Sequence, residues 1–247
     1  MDVPSFLEDI YPKNLLYAVT IRSPAAKGKL KSINIQLPDN YTLITAKDIP
    51  GENKLENTSM PVLAYDKVSY IGEPVAIILG HEKTKLEELV SRCFVDIEEE
   101  SPVFSCADEN CETEEMREIK TGNTELTGEN LKKITGRYST GIQEHWYAEP
   151  VGAITWYTGD KKTEKKLIIK TATQWPYHVK RAVSCMLNEE PSNINVEPTA
   201  LNLHMDGKLW YPSLVACHAA LGTYMTKKPV RLILKRDEDF LFSPCSS

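Results

Sequence analysis

An acidic segment divides this chain and constrains its folding more than any other feature of the sequence. Ten Asp or Glu residues fall between positions 96 and 118, against a single basic residue, Arg117. Such a stretch cannot supply a hydrophobic core, so the apolar patterns on either side should fold as separate units. We predict an α+β protein with one mixed domain at 1–100, an acidic linker at 101–133 and a second mixed domain at 134–247.

Strand and helix patterns alternate in both regions. Apolar or alternating runs predict strands, and apolar residues at helical spacing predict helices. The first region has predicted strands at 15–21, 30–37, 75–79 and 94–97 and a helix at 83–90. The second has strands at 151–157, 165–172, 194–196 and 230–234, helices at 177–187 and 214–224, and a hairpin tip at 158–162. A short helix is expected at 112–120, within the linker.

Composition excludes several classes of protein. The net charge of −6 argues against a nucleic-acid partner, because phosphate contacts need a basic face. No apolar run approaches the roughly 20 residues that span a bilayer, so no membrane partner is expected. The first nine residues are acidic and lack the apolar stretch of a secretory signal. Six scattered cysteines without a Cys-x-x-Cys pair predict reduced thiols in the cytoplasm, with Cys93, Cys185 and Cys217 as small core residues.

Two short motifs carry the groups that could perform or support chemistry. Residues 141–150 place Gln143, His145 and Glu149 just before a strand, and residues 171–176 place Gln174 between a strand and a helix. Taken singly, a glutamine at a strand end is usually a capped polar residue. A Gln-x-His pair beside aromatic residues is usually a buried hydrogen-bond network. Only the order of these motifs relative to other segments favours a functional interpretation.

In that order, the segments resemble the molybdenum-binding subunit of the xanthine dehydrogenase and aldehyde oxidase family. Residues 16–24 and 62–76 resemble its a/b hammerhead domain, and the second of these matches is the more specific. The motifs containing Gln143 and Gln174 resemble its first molybdopterin-binding subdomain, and residues 228–240 resemble that subdomain's last strand. The resemblance implies a hammerhead-like domain followed by a molybdopterin-binding-type subdomain.

The resemblance also implies a chemistry. In that family a molybdenum–pterin cofactor hydroxylates purines, other heterocycles or aldehydes with oxygen from water, and electrons leave through iron–sulfur clusters and flavin. It implies cofactor-binding roles for Gln174, Gln143, His145 and Glu149. At the Gln174 position an amide N–H can donate near the metal without adding charge, and His145 would orient its neighbours. It assigns no catalytic residue and no metal ligand to this chain.

The sequence departs from the family pattern between residues 197 and 208. Where the family has a glycine-rich loop that approaches the cofactor, this segment has one glycine, Gly207. Leu201, Leu203 and Met205 would fill the space that the glycines leave open in the family, and His204 is expected to be structural. The family's later part, which carries the catalytic glutamate and most pterin contacts, has no counterpart in this sequence. We therefore expect a piece of a split or truncated subunit.

Three functional hypotheses follow. The first is part of a molybdenum hydroxylase that is inactive alone and needs the remaining molybdenum subunit and iron–sulfur and flavin subunits as partners. The second is a non-catalytic remnant or scaffold that has lost cofactor binding. The third is an unrelated α+β binding protein, which the strand order of residues 15–98 would reveal. Apolar surface left exposed without the later subdomains predicts homo-oligomers.

Overall fold

The computed structural model describes residues 6–56, 58–105, 108–111, 117–122, 132, 134–158, 165–199 and 207–244. Helices and strands alternate along the chain, which confirms the predicted α+β class. The first region contains β1 (Leu16–Arg22), β2 (Gly28–Asn34), β3 (Thr42–Thr45), β4 (Lys67–Val68), β5 (Pro74–Gly80), α1 (Lys83–Ser91) and β6 (Phe94–Glu99). The second contains β7 (Gly152–Thr158), β8 (Lys166–Thr171), α2 (Pro176–Leu187), β9 (Ile194–Pro198), α3 (Tyr211–Thr226), β10 (Val230–Ile233) and α4 (Arg236–Phe242).

Strands from both sides of the acidic segment share one large sheet. Its order is β3-β5-β1-β10-β7-β8-β9, and a small second sheet has the order β4-β2-β6. The two regions meet where β1 runs parallel to β10, with Leu16 opposite Val230. Because a sheet joins the regions, the domain boundaries at residues 100 and 134 stay a prediction about sequence units.

Helix α3 lies at the centre of the core. Every residue from 211 to 223 is buried, which suits its apolar, alanine-rich sequence. A Cβ added at Gly222 would lie 3.2 Å from side-chain atoms of Leu79 and Val230, so the helix packs closely on β5 and β10. The buried hydroxyls of Thr155 and Thr223 bond each other at 2.7 Å. Helix and sheet are therefore locked together by packing and by satisfied polar groups.

Helix α1 packs against the sheet through a separate cluster. Leu86 and Leu89 contact Ile78 of β5, with Tyr17 and Val19 of β1 at the edge. This cluster and the small sheet place α1 beside β1, next to the cleft considered below. No helix within the described ranges is long and apolar enough to cross a membrane.

Most predicted elements are present, with shifted ends. The strand predicted at 30–37 runs from Gly28 to Asn34, and β3, β4 and α4 were not predicted. Cys217 is buried as expected, but Cys185 is exposed, so the core assignment of Cys185 is wrong. Cys185 falls on the outer face of amphipathic α2. The predicted helix at 112–120 falls partly outside the described residues, and 117–120 are not helical; the hairpin tip at 159–162 also lies outside them.

Candidate functional site

The two polar motifs meet at the Gly207–Lys208 dipeptide. Gln174 donates its backbone N–H to the Lys208 carbonyl oxygen at 2.9 Å. The Lys208 N–H in turn donates to Gln174 Oε1 at 3.1 Å. These reciprocal bonds use the acceptor of the Gln174 amide and fix its orientation. Its Nε2 donors have no partner within the described part of the chain, and the side chain is exposed.

Local sequence explains why Gln174 sits at this corner. Thr171 ends β8 and donates its hydroxyl to the Gly152 carbonyl at 2.6 Å. Thr173 Oγ1 then accepts the Trp175 N–H at 3.0 Å, which turns the chain sharply. Pro176 begins α2 at a position that needs no N–H donor. Gln174 is therefore held between a strand end and a helix start, rather than in a loose loop.

His145 packs directly on Gly207. A Cβ placed at Gly207 would lie only 2.4 Å from His145 Cδ2, and the Gly207 φ of +82° is one that other residues rarely adopt. Glycine is thus required here both for backbone conformation and for close approach of the imidazole. The contact brings the first motif to the bonds that orient Gln174.

Glu149 has both carboxylate oxygens engaged within the protein. Oε1 accepts the Leu7 N–H at 2.8 Å, and Oε2 accepts the Thr199 hydroxyl at 2.8 Å. Its main-chain oxygen accepts a hydrogen bond from the ammonium group of Lys208. Glu149 thus ties the N-terminal segment, the end of β9 and Lys208 together. This geometry gives it a structural role, and its predicted cofactor contact stays a prediction that these bonds do not favour.

Lys208 is a buried cation at the centre of the site. It is 2% exposed, and its ammonium lies 4.4 Å from the centre of the Tyr147 ring. Burial lowers the pKa of Lys208 to about 8, while the nearby carboxylates of Glu149 and Asp239 favour the charged form. A cation–π contact and a carbonyl bond partly offset the desolvation.

Tyr147 and Asp239 form a buried pair beside the Lys208 ammonium group. The Tyr147 hydroxyl donates to Asp239 Oδ1 at 2.8 Å, and the Val151 N–H donates to Oδ2 at 3.2 Å. Asp239 is fully buried, and burial raises the pKa of its carboxyl group. Arg236 donates to the Ala148 carbonyl at 2.8 Å. Helix α4 is thereby fastened to the segment that contains Gln143 and His145.

Two family profiles together cover nearly all of this sequence. Residues 107–247 match the molybdopterin cofactor-binding domain. Residues 4–101 match the a/b hammerhead domain of aldehyde oxidase and xanthine dehydrogenase. The chain belongs to the aldehyde oxidase and xanthine dehydrogenase family. The hypothesis of an unrelated binding protein is therefore wrong.

Individual members of the aldehyde oxidase and xanthine dehydrogenase family are similar to this chain over part of their length. It is 28% identical to aldehyde oxidase 2 of Rattus norvegicus over 237 residues, which cover 92% of this chain and 17% of that protein. It is 26% identical to xanthine dehydrogenase 1 of Arabidopsis thaliana over 246 residues, covering 94% and 18%. The chain thus spans less than a fifth of the length of these relatives.

Solved structures show the same fold. Quinoline 2-oxidoreductase from Pseudomonas putida 86 superposes with a TM-score of 0.76 at 22% identity, over 98% of this chain and 34% of that one. Aldehyde oxidoreductase from Desulfovibrio gigas gives 0.76 at 19% identity, over 96% and 29%. The predicted succession of a hammerhead-like and a molybdopterin-binding-type unit is confirmed.

The structure brings three of the four predicted site residues together. Gln174, His145 and Glu149 contact Gly207–Lys208; Gln143 is exposed, as Gln174 is, and no described contact joins it to this group. Their roles toward a cofactor stay predictions. Most of the glycine-poor loop, including His204, lies outside the described residues. Within those residues, no group of three or more His, Cys, Asp or Glu side chains is placed to hold a metal ion.

Sequence reasoning missed Lys208, Tyr147 and Asp239 as parts of the site. Tyr147 lies inside a motif that was singled out, but its aromatic ring gave no sign of a buried acidic partner 92 residues away. Lys208 follows the only glycine of its loop, which was the one available signal. Burial of a lysine is rare, so no pattern predicts it.

Proposed function

We propose that this chain forms one wall of the molybdopterin site in an aldehyde oxidase or xanthine dehydrogenase-type hydroxylase and is inactive alone. The observation that carries the proposal is the reciprocal pair between Gln174 and Lys208. It uses the amide oxygen of Gln174 and leaves its two N–H donors directed away from that bond. An amide held in this way is prepared to donate to a bound group.

The residues present fit such a cofactor in part. Gln174 offers uncharged donors, which suit a negatively charged group rich in acceptors. The His145 ring fills the side of Gly207 where a Cβ would lie, so a ligand could approach this partly exposed backbone only from its other side. Glu149 does not fit, because both of its oxygens are already bonded. The proposed contacts are therefore Gln174 and the Gly207 backbone, and a contact from Gln143 is proposed from the family resemblance alone.

Each residue has a limited task in this proposal. When bound, the cofactor supplies the oxidation of a purine or aldehyde substrate. Gln174 holds it by an N–H bond, and His145 and Lys208 keep the Gln174 corner in place. The Asp239 carboxylate is buried and bonded within the protein, and the Lys208 ammonium has no lone pair to accept a proton, so neither acts as a general base for the substrate. We infer from the family resemblance that the general base would come from the remaining part of the subunit.

The proposal includes partners and a compartment. Relatives of full length are about five times longer, so the remaining molybdenum subunit and iron–sulfur and flavin subunits would complete the enzyme in the cytoplasm.

A shallow apolar cleft of about 650 Å³ beside Trp146, Phe240 and Leu241 would be covered by that remainder. Alone, the chain should self-associate through this surface. Sedimentation at two concentrations tests this, and a monomer at both would contradict it.

Cofactor binding tests the proposed function directly. Molybdopterin released from a donor molybdoenzyme is titrated into the purified full chain, and bound pterin is measured by fluorescence after oxidation. Gln174→Ala should weaken binding about 10–150-fold, the loss expected for one hydrogen bond to a charged group. Gln36→Ala, at an exposed position near β2, is the matched control and should change nothing.

A scaffold that no longer binds the cofactor is the second candidate. The segment from 197 to 208 favours it, because Gly207 is its only glycine. The internal bonding of Glu149 also favours it. This candidate predicts a folded chain that retains no pterin at any concentration tested, with wild type and Gln174→Ala indistinguishable.

A further inference from the structure

Strands β1 and β10 pair at one end and separate at the other. Their register includes Leu16↔Val230 and Tyr17↔Arg231 and stops there. On its other edge, β1 stays paired with β5 as far as Arg22, and β10 stays paired with β7 as far as Ile233. A wedge-shaped cavity of about 360 Å³ lies between the separated strands, lined on its walls by Ala18, Thr20, Leu232 and Ile233.

Backbone groups on both walls point into this wedge. The Leu16 N–H donates to the Pro229 carbonyl at 2.8 Å, so Leu16 faces β10. Alternate residues of a strand direct their N–H and C=O groups to the same side, so Thr20 also faces the wedge. The Leu234 N–H donates at 3.0 Å to the carbonyl oxygen of Val151, the residue before β7, so the backbone N–H and C=O of neighbouring Ile233 face the wedge. Neither Thr20 nor Ile233 has a backbone partner across the wedge in the described part of the chain.

Two ion pairs line the cavity near the separated ends of the two strands. Arg22, the last residue of β1, bonds Glu238 at 2.7 Å and lies 4.4 Å from the centre of the Phe242 ring. Lys235, which follows β10, pairs with Glu87 of α1 at 2.7 Å. Lys83, at the start of α1, also lines the cavity and has no acidic partner among the described residues. The opposite charges within each of the two ion pairs cancel, so among the residues that line the cavity only Lys83 carries an uncompensated charge, which is positive.

We propose that the wedge binds an extended, acidic peptide segment of a partner protein, which adds a short strand between β1 and β10. Unpaired strand edges recognise extended backbone, because its donors and acceptors alternate at the same spacing. Two facing edges would hold one strand from both sides. The apolar walls accept an aliphatic side chain, and Lys83 accepts a carboxylate. Helix α4 contributes to both places, since Glu238 and Phe242 line the wedge and Asp239 bonds Tyr147, but the wedge does not include Gln174 or Lys208. The proposal does not rest on the proposed cofactor role.

A short peptide probe tests the proposal. The probe is fluorescein-labelled Glu-Val-Thr-Val-Glu with blocked ends, followed by fluorescence polarisation with the full chain. The matched probe carries N-methyl groups on both valine amides, which removes backbone donors and keeps the side chains. We expect the methylated peptide to bind at least tenfold more weakly. Equal binding of the two peptides, or no binding of the unmodified one, would overturn the proposal.

Two further measurements locate the contact. Lys83→Glu should weaken binding of the unmodified peptide several-fold, whereas Lys228→Glu, exposed at the opposite end of β10, should not. Amide hydrogen exchange at Thr20 and Ile233 should be fast in the free chain and at least tenfold slower with peptide. Unchanged exchange at both amides while the peptide is bound would show that it binds elsewhere, and the proposal would be wrong.

Discussion

At the scale of single residues, Gly72 shows how one position joins distant parts of the chain. Its φ is +88°, and a Cβ there would lie 2.0 Å from the Phe242 ring of α4. The sequence predicted a strand at 75–79, just after Gly72, but no local pattern shows the aromatic ring that lies against this glycine. The glycine is therefore needed twice, for conformation and for space.

Gly72→Ala should lower the free energy of unfolding by about 2–4 kcal/mol, because backbone strain and a steric clash add. Urea denaturation measures the change. Gly141→Ala is the control, since an added Cβ at Gly141 meets nothing within 4 Å. Equal stability of the two variants would show that α4 does not pack on the turn.

Lys208 makes stability depend on alkaline pH. Its pKa is about 8 when folded and near 10.5 when unfolded, so the unfolded chain binds more protons between these values. Stability should therefore rise by about 2 kcal/mol between pH 8 and 10. Above pH 10 the pKa values of Tyr70 and Tyr157, each raised to about 12 by partial desolvation, reverse the trend. Urea denaturation of wild type and Lys208→Met at pH 7.5, 8.5 and 9.5 tests this, and the rise should be absent in the variant. Parallel pH profiles would contradict it.

At the scale of secondary-structure elements, one ion pair fastens α4 to β1. Arg22 and Glu238 meet at 2.7 Å with side chains only 11% and 23% exposed, and Arg22 also donates to the Gly72 carbonyl at 3.0 Å. The guanidinium therefore bridges a strand, a turn and a helix that are far apart in sequence. A lysine could not make these divergent bonds.

Arg22→Met should cost about 2–4 kcal/mol of stability, since it leaves Glu238 and the Gly72 carbonyl without their partner. The matched control is Lys31→Met, which removes an ion pair to Glu98 whose side chains are 49% and 58% exposed. That change should stay within about 1 kcal/mol. Equal effects of the two variants in urea denaturation would show that burial does not strengthen the Arg22 pair.

Sequence patterns predicted the long apolar elements well and the short polar ones poorly. Strand β5 is an unbroken apolar run, and α2 has a clear apolar face, so both were found. Strand β3 has only four residues, and α4 begins with four charged residues, so neither has a readable period. The residues of the candidate site differ in the same way in how well the sequence predicted them. Gln174 and His145 stood in recognisable motifs, whereas the burial of Lys208 depends on contacts that no local pattern encodes.

At the scale of the whole molecule, the acidic segment separates two sequence units that one sheet reunites. The largest core cluster contains Leu16 and Ile77 from the first unit and Ile169 and Val230 from the second. Shared strands and a shared core should make the two units unfold together.

Cooperative unfolding can be read from two independent probes. All four tryptophans, Trp146, Trp156, Trp175 and Trp210, lie in the second unit, so their fluorescence reports on it alone. Amide exchange of β5 reports on the first unit. The two urea midpoints should coincide, and midpoints separated by more than about 0.5 M would contradict a shared core.

Hydrogen exchange with and without released molybdopterin tests the central claim that this chain supplies a wall of a cofactor site. In the full wild-type chain, the cofactor should slow amide exchange at Gln174, Gly207 and Lys208 at least fivefold, and Gln174→Ala should abolish most of that protection. Exchange at these amides that is unaffected by cofactor, in a chain whose core amides remain protected, would contradict the account and favour a scaffold.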